Sequence, residues 1–545
     1  MQFTITDITW ERLYLSFSIK AIFFEGIEFA LFEIEHKSGE IIYLKRISVP
    51  INAEYSNGHY HMRLNLAIAG DEKRSFLENG HYCLRANESG QWAECIAGSS
   101  VIASLADLCR IFSYAKGQAY TFSFALAGEG MQLVMHSAFM SENSKWRKRH
   151  RPKAKSAFAL ARNFAADGAK LFFNIYYKIL HFFARGSKNA LLMSERHNSL
   201  TGNLKAIDDK IREVGISNSY RISYSLREAG ELDRSVLFRI KQAALLAKQQ
   251  VIFVDDVCPT FTWLKLAQDV CLVQVWHSGG GFKAVGYARF GKSGSPHPAL
   301  CFHRHYTYAL CGSEALVDVF QEMFGINREA LLPFGIPRID GLFSEGRQDE
   351  AIDRIYKAYP QARGKKAYLY CPTFRGQGQL SAYFDFSVLD LNRLYSYLES
   401  SDSIFMVRMH PFVKDRLPEP DAYKGRIFDV SGYPDINDLF HASDVLITDY
   451  SSAYYEFALL RKPMLFYCFD QVVYEQTRGF YQSVEQSAPG KVVESFDGLL
   501  AAMQSNDYEN FKIDGFIQRN MGYYEGNAAF MLLEHIFGQN IAKGR

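Results

Sequence analysis

The chain changes its hydrophobic rhythm twice between its first residue and its last. Up to about residue 135, apolar and polar residues alternate in short runs such as Arg12–Ile19, Ile27–Ile34 and Glu40–Ile47, with SGE, SNGH and ENGH turn signals among them. A period of two puts alternate side chains on opposite faces of a strand, so residues 1–135 are predicted to form a β-sandwich of roughly immunoglobulin type. In the next stretch Phe158, Phe164, Leu171, Phe172, Ile175, Ile179 and Phe182 recur near helical spacing, interrupted by Lys170, Lys178 and Arg185. Residues 136–187 therefore read as a basic amphipathic helical segment.

From residue 188 short apolar runs alternate with helical patterns, which argues for an open parallel sheet. The candidate buried strands are Ala190–Met193, Gln250–Val254, Leu272–Trp276, Tyr306–Cys311, Ala367–Cys371, Ile404–Met409, Val445–Thr448 and Met464–Tyr467. The loop-forming run Pro333–Gly341, followed by a polar helix at Asp349–Tyr359, divides this region into 188–340 and 341–545. The fold class is α/β, with two Rossmann-like halves facing one cleft.

Composition narrows the function. A length of 545 residues is too much for one core, and 48% hydrophobic with 22% charged residues is ordinary globular usage. A net charge of +2 gives no basis for bulk nucleic-acid binding and turns attention to local patches. One such patch, Lys145–Lys155, holds seven Lys/Arg and no acid immediately before the amphipathic segment. Cations beside an aromatic apolar face suit an anionic lipid surface, whereas a solvated linker plus a core helix is the plainer alternative. The N-terminus lacks a basic start followed by a long apolar run, and no apolar window reaches about 18 residues, so a location inside the cell without a membrane span is expected. The nine cysteines form no CxxC pair; Cys258, Cys271, Cys301, Cys311 and Cys371 read as buried thiols.

Four clusters at predicted strand ends carry chemistry, where open α/β sheets bind ligands. His277 follows a buried strand and precedes Gly279, Gly280 and Gly281, a position for a proton-accepting imidazole beside approachable backbone. Thr373 and Arg375 follow Pro372 after another strand and offer donors for phosphate or a pyrimidine edge. Arg408 and His410 alternate with apolar residues, which on a strand would aim both to one side as an anion site. Ser451 and Ser452 stand where the strand Val445–Thr448 runs into a helix, and Arg478 adds a further candidate clamp downstream.

Across about residues 188–535 the chain resembles the CDP-glycerol glycerophosphotransferase family, the teichoic-acid and related capsule polymerases. The likeness rests on Ser194, Ser199–Lys205, Trp276-His277, Gly335–Asp340, Pro372–Arg375, Arg408–Pro411, Ser431–Ile436, Thr448–Ser452 and Arg478–Tyr481 in family order. Where the glycerol enzymes read His-Gly-Thr-Pro-Leu-Lys, this chain has His277-Ser-Gly-Gly-Gly-Phe-Lys283, closer to members handling ribitol phosphate. The resemblance implies two Rossmann-like domains of glycosyltransferase-B type and transfer of glycerol phosphate or ribitol phosphate from CDP-glycerol or CDP-ribitol to a polymer or lipid-linked saccharide acceptor. It implies His277 and His410 as catalytic residues and Thr373, Arg375, Arg408, His410, Ser451, Ser452, Glu456 and Arg478 on the donor. Asn203, Lys205, Gly279 and Lys283 would hold the acceptor. No metal, no cofactor and no nucleic acid enter this expectation, and the site is expected to be rich in cations and poor in carboxylates. The place implied is the cytoplasmic face of the membrane, bound peripherally to anionic lipid. A nucleotide-sugar glycosyltransferase of the same architecture, or a non-catalytic carbohydrate-binding scaffold, stay open at this point.

Overall fold

The structure, a computed structural model, describes residues 3–538 except 23–25, 38–39, 48–50, 71–74, 116–117, 128–130, 142–156, 229–234, 283, 292–294, 299–301, 344–345, 377–381, 419, 424, 479 and 523–525. The basic run Lys145–Lys155 lies outside the described residues.

Alternation does produce strands at the N-terminus: β1 (Phe3–Glu11), β2 (Tyr14–Lys20), β3 (Glu28–Lys37), β4 (Glu40–Arg46), β5 (Ala53–Ser56), β6 (His59–Asn65), β7 (Gly80–Glu88), β8 (Gln91–Ala97), β9 (Arg110–Ala115), β10 (Gln118–Ala127) and β11 (Gln132–Ser141). Their hydrogen bonds join all eleven into one branched network, antiparallel except where β1 meets β8. Its main apolar core runs from Phe3 and Leu15 to Tyr120 and Met135 and draws in Tyr287 and Phe290 from the following domain, and a smaller cluster gathers Ala30, Phe32, Ile34, Cys83, Ala127 and Val134.

The run Arg12–Ile19 is a turn followed by a strand, with Arg12 at φ 55 between β1 and β2. That turn is a wedge between domains. Arg12 donates to Glu322 at 3.1 Å and to the Tyr481 carbonyl at 3.0 Å, and its guanidinium lies 3.4 Å from the Tyr481 ring centre. Leu13 N and Tyr14 Oη complete the contact with Glu322 and the Asp318 carbonyl.

The helix Ala157–Ala184 carries two apolar stripes. Phe173 and Tyr177 are buried against the first α/β half, with His181 donating from Nδ1 to the Ala247 carbonyl at 2.9 Å and setting Nε2 2.9 Å from Asp269 Oδ1. Leu171, Phe172, Ile175, Ile179, Phe182 and Phe183 are exposed on the other side. Among the described residues no helix is long and apolar enough to cross a membrane.

Two parallel sheets follow. The first contains β12 (Asn189–Ser194), β13 (Arg221–Leu226), β14 (Val251–Val254), β15 (Cys271–Gln274), β16 (Tyr308–Leu310) and β17 (Leu331–Leu332), ordered β13-β12-β14-β15-β16-β17. The second contains β18 (Lys366–Cys371), β19 (Ser403–Val407), β20 (Ile427–Asp429), β21 (Val445–Thr448), β22 (Met464–Tyr467) and β23 (Lys491–Val493), ordered β20-β19-β18-β21-β22-β23. Alternate residues of each strand feed separate cores on the two faces: Leu191, Ile252 and Leu272 on one side of the first sheet, Leu192, Phe253 and Val273 on the other. Burial on both faces is why these strands read as continuous apolar runs.

The halves are not consecutive in the chain. The last helix, Ala528–Phe537, returns to pack Leu532, Leu533 and Phe537 against Leu204 and Phe253 of the first sheet. Sequence order thus misassigns the end of 341–545 to the second half.

Candidate active site

Both sheets point their carboxyl edges at one cleft of about 650 Å³. In each sheet strand order reverses beside its first strand, at β12/β14 and at β18/β21, which is where such sheets leave a crevice. The first wall comes from the segments after β12, β14 and β15, with Glu195, Arg196, Asp255, Asp256 and His277. The second comes from those after β18, β19 and β21, with Thr373, Arg408, His410, Ser451 and Ser452.

His277 is held from behind. Trp276 adopts φ 51, and its indole lies 4.3 Å from the imidazole centre. Asn203 Nδ2 donates to the carbonyls of Val275 and Trp276 at 3.1 and 2.8 Å, and Arg338 donates to that of His277 at 3.1 Å. The imidazole faces Asp256, with Nδ1 3.6 Å from Oδ2. Burial, then the charges of Arg196 and Arg338, hold its pKa well below the ordinary value, so the ring is neutral at pH 7 and can accept a proton.

On the second wall the cations differ in what they face. Arg375 lies outside the cavity lining and is saturated by carboxylates: it donates to Asp470 at 2.7 and 2.8 Å and to Asp449 at 3.0 Å. Although burial opposes its charge, Asp449 and Asp470 hold the guanidinium above its usual pKa. Asp449 also accepts from Thr373 N and Oγ1, so the set ties the loop after β18 to the loop after β21. Arg408 is the reverse case. Its Nη1 donates to the carbonyls of Tyr433 and Val430, and among the described residues no carboxylate is within ion-pair distance of it. Because β19 ends at Val407, Arg408 and His410 reach the cleft from a loop and not as alternate positions of a strand. His410 packs its ring on Phe374 and Phe412 and accepts from Phe412 N at its Nδ1, which places the ring proton on Nε2.

Ser451 accepts from Ala453 N at 3.3 Å, and Ser452 precedes the helix Ala453–Ala458 without capping it. Both hydroxyls line the cleft. Glu456, on that helix, is 2% exposed and forms an ion pair with Arg338 of the opposite wall. Burial raises its pKa and Arg338 works against the rise.

The residues expected on the acceptor separate. Asn203 lines the cleft, but its amide is spent on backbone, including Arg338 N at 3.0 Å. Lys205 points away and pairs with Asp209 on the helix surface. The glycines serve packing: a Cβ at Gly279, Gly280 or Gly281 would come within 2.7 Å of Ile336, 2.3 Å of Tyr455 or 2.6 Å of Val319. Lys283 lies outside the described residues, as does the side chain of Arg478 at the end of the helix Gln471–Arg478. The neighbouring Phe480 and Tyr481 form a junction, Phe480 stacked on Phe282 and Tyr481 under Arg12.

The cleft is not carboxylate-poor, because Glu195, Asp255, Asp256 and Glu456 all line it. Burial pushes the Asp255 carboxyl up to about 6. Sequence reading passed over Asp255, Asp256 and Arg196, and took in Arg338 only as part of the Gly335–Asp340 motif, with no role in the site. The signal for the first two was an acidic pair directly after the apolar run Val251–Val254.

Residues 175–538 match the family described as CDP-glycerol:poly(glycerophosphate) glycerophosphotransferase. Among relatives, the chain is 37% identical to the teichoic acid ribitol-phosphate polymerase TarK and 35% identical to TarL, both of Staphylococcus aureus (strain NCTC 8325 / PS 47). Each match covers 68% of this chain, and the chain spans 71% of TarK and 66% of TarL. The solved structure of the wall teichoic acid polymerase TagF shares the fold, with a TM-score of 0.57 at 21% identity over 70% of this chain and 98% of that one.

Proposed function

Because the chain belongs to the CDP-glycerol:poly(glycerophosphate) glycerophosphotransferase family, we propose that it moves an alditol phosphate unit from a CDP-alditol to a hydroxyl of a growing teichoic-acid or capsule polymer, releasing CMP. One observation carries the reading: a single cleft sets the neutral imidazole of His277 opposite Arg408, a cation that has no carboxylate at ion-pair distance among the described residues, and the hydroxyls of Ser451 and Ser452. That arrangement suits a diphosphate on the second wall and a hydroxyl nucleophile on the first. Two sheets facing one cleft support a glycosyltransferase-B type architecture.

In this mechanism His277 takes the acceptor hydroxyl's proton while the oxygen attacks the donor's β-phosphorus in line. Arg408, Ser451 and Ser452 hold the diphosphate, and the Nε2 proton of His410 meets the charge gathering on the departing CMP. Phosphoryl transfer asks mainly for positioning and charge neutralisation. Thr373, Glu456 and Asn203 in the cleft wall, and Arg375 and Asp449 behind it, act as braces.

Ribitol phosphate is the favoured unit, since TarK and TarL are named for it and the segment after His277 has the glycine-rich form. The exposed stripe Leu171–Phe183, preceded by the cations of Lys145–Lys155, supports peripheral attachment to the inner leaflet, where a lipid-linked acceptor is presented. The test is CMP release by the purified protein with CDP-ribitol, CDP-glycerol, UDP-sugars and an alditol-phosphate-primed acceptor. Turnover of a CDP-alditol, with CDP-ribitol the better donor, is the expected result. Turnover of a UDP-sugar with CDP-alditols inert would refute the assignment.

A further inference from the structure

β14 and β15 are parallel neighbours with Val254 opposite Gln274, so the residues just past their ends meet at the edge of the sheet. That register brings Asp256 to His277. Asp256 Oδ2 lies 3.6 Å from His277 Nδ1 and 3.4 Å from Arg196 Nη1, and its carboxylate lines the cleft.

The His277 backbone has little freedom. Asn203 and Arg338 hold the carbonyls of three successive residues, Val275, Trp276 and His277. The indole of Trp276 covers one face of the imidazole. What these contacts leave open is which ring nitrogen is presented to the cleft. The charged groups around the ring are Arg196, His197, Arg338 and Asp256. The first three disfavour an imidazolium, a backbone hydrogen bond to Asp255 favours it, and among the described residues Asp256 is the one carboxylate within ion-pair distance of the ring.

We propose that Asp256 is the positioning residue for proton removal: by facing Nδ1 it presents Nε2 to the acceptor hydroxyl, and it balances the charge the ring acquires. The inference rests on the reading of His277 as the base. In the step, the acceptor O–H proton passes to Nε2 and the oxygen forms a bond to the β-phosphorus. The bond from that phosphorus to the bridging oxygen breaks, its electron pair leaving on CMP. The imidazolium then loses its proton to solvent when CMP departs. A separation of 3.6 Å is long for a hydrogen bond, and such pairs tighten when substrate is bound.

Asp256→Asn in the full chain should lower kcat by about 10²-fold or more, because an amide at this place favours the wrong ring tautomer. The KM for the CDP-alditol, the calorimetric affinity for CMP and the melting curve should stay near wild type. Added to His277→Ala, Asp256→Asn should cost almost nothing further, since residues that act as one unit are not additive. Wild-type kcat in Asp256→Asn, or losses that multiply in the double variant, would overturn the proposal. If Asp256→Asn does not melt cooperatively, Asp256→Ser is read by the same two criteria. Wild-type protein that releases no CMP from either CDP-alditol would sink the transfer reading itself, a result distinct from either failure of Asp256.

Discussion

Arg338→Gln removes the cation that spans the cleft to Glu456 and anchors the His277 carbonyl. Glu456 is 2% exposed, so the substitution leaves a carboxylate buried without its partner. Breaking a buried pair on one side costs about 3–5 kcal/mol. For a unit the size of one α/β half, that lowers the melting temperature by about 6–20 °C. The deficit has a pH sign. Burial already holds the Glu456 pKa above the ordinary carboxylate value against the pull of Arg338, and losing Arg338 raises it further. An acid bound more tightly to its proton when folded loses stability as pH rises from its unfolded pKa through its folded one. The gap between Arg338→Gln and wild type should therefore be small near about pH 5 and widen toward about pH 8. Adding Glu456→Gln should close most of it, because a neutral pair replaces an orphaned charge. Calorimetric scans of the three proteins at both pH values decide the matter. A gap independent of pH, or one that Glu456→Gln does not reduce, would refute the reasoning.

His277→Ala should cut CMP release by about 10²–10⁴-fold with an unchanged melting curve, measured in a donor-saturated assay. Arg408→Ala should weaken CMP affinity by about 10–100-fold in titration calorimetry, and unchanged affinity would remove Arg408 from the donor site. Gly280→Ala, whose new Cβ would meet the buried Tyr455 ring at 2.3 Å, should destabilise by about 1–3 kcal/mol in thermal melts. Replacing Phe172, Phe182 and Phe183 with Ser, or the seven cations of Lys145–Lys155 with neutral residues, should reduce co-sedimentation with anionic vesicles, and equal co-sedimentation would refute membrane attachment through this segment.

Short-range pattern made much of the fold readable. Strands buried on both faces, such as Leu191–Met193 and Leu446–Ile447, announce themselves as apolar runs, and the polar clusters after them had to lie at the sheet edge. The four clusters and the two parallel sheets were legible for that reason. β13 and β20, half-polar or three residues long at the sheet edges, carry too little pattern to stand out.

What the sequence could not decide is which partner each residue meets. Arg375 reads as a phosphate ligand until Asp449 and Asp470, 74 and 95 residues away, close on it. Arg408, of the same residue type, keeps its charge for the cleft because its hydrogen bonds among the described residues go to the carbonyls of Tyr433 and Val430 and not to a carboxylate. The glycines after His277 read as room for a ligand, yet Ile336, Tyr455 and Val319 fill that room. On the helix Ala157–Ala184 both stripes are apolar, and packing against the first half determines that Phe173 and Tyr177 go inside while Phe172 and Phe182 stay out. Periodicity reports the chemistry of a face over one or two turns. Contacts such as Arg338 with Glu456, 118 residues apart, exist only after two sheets have set their registers and docked, so only the tertiary structure decides them.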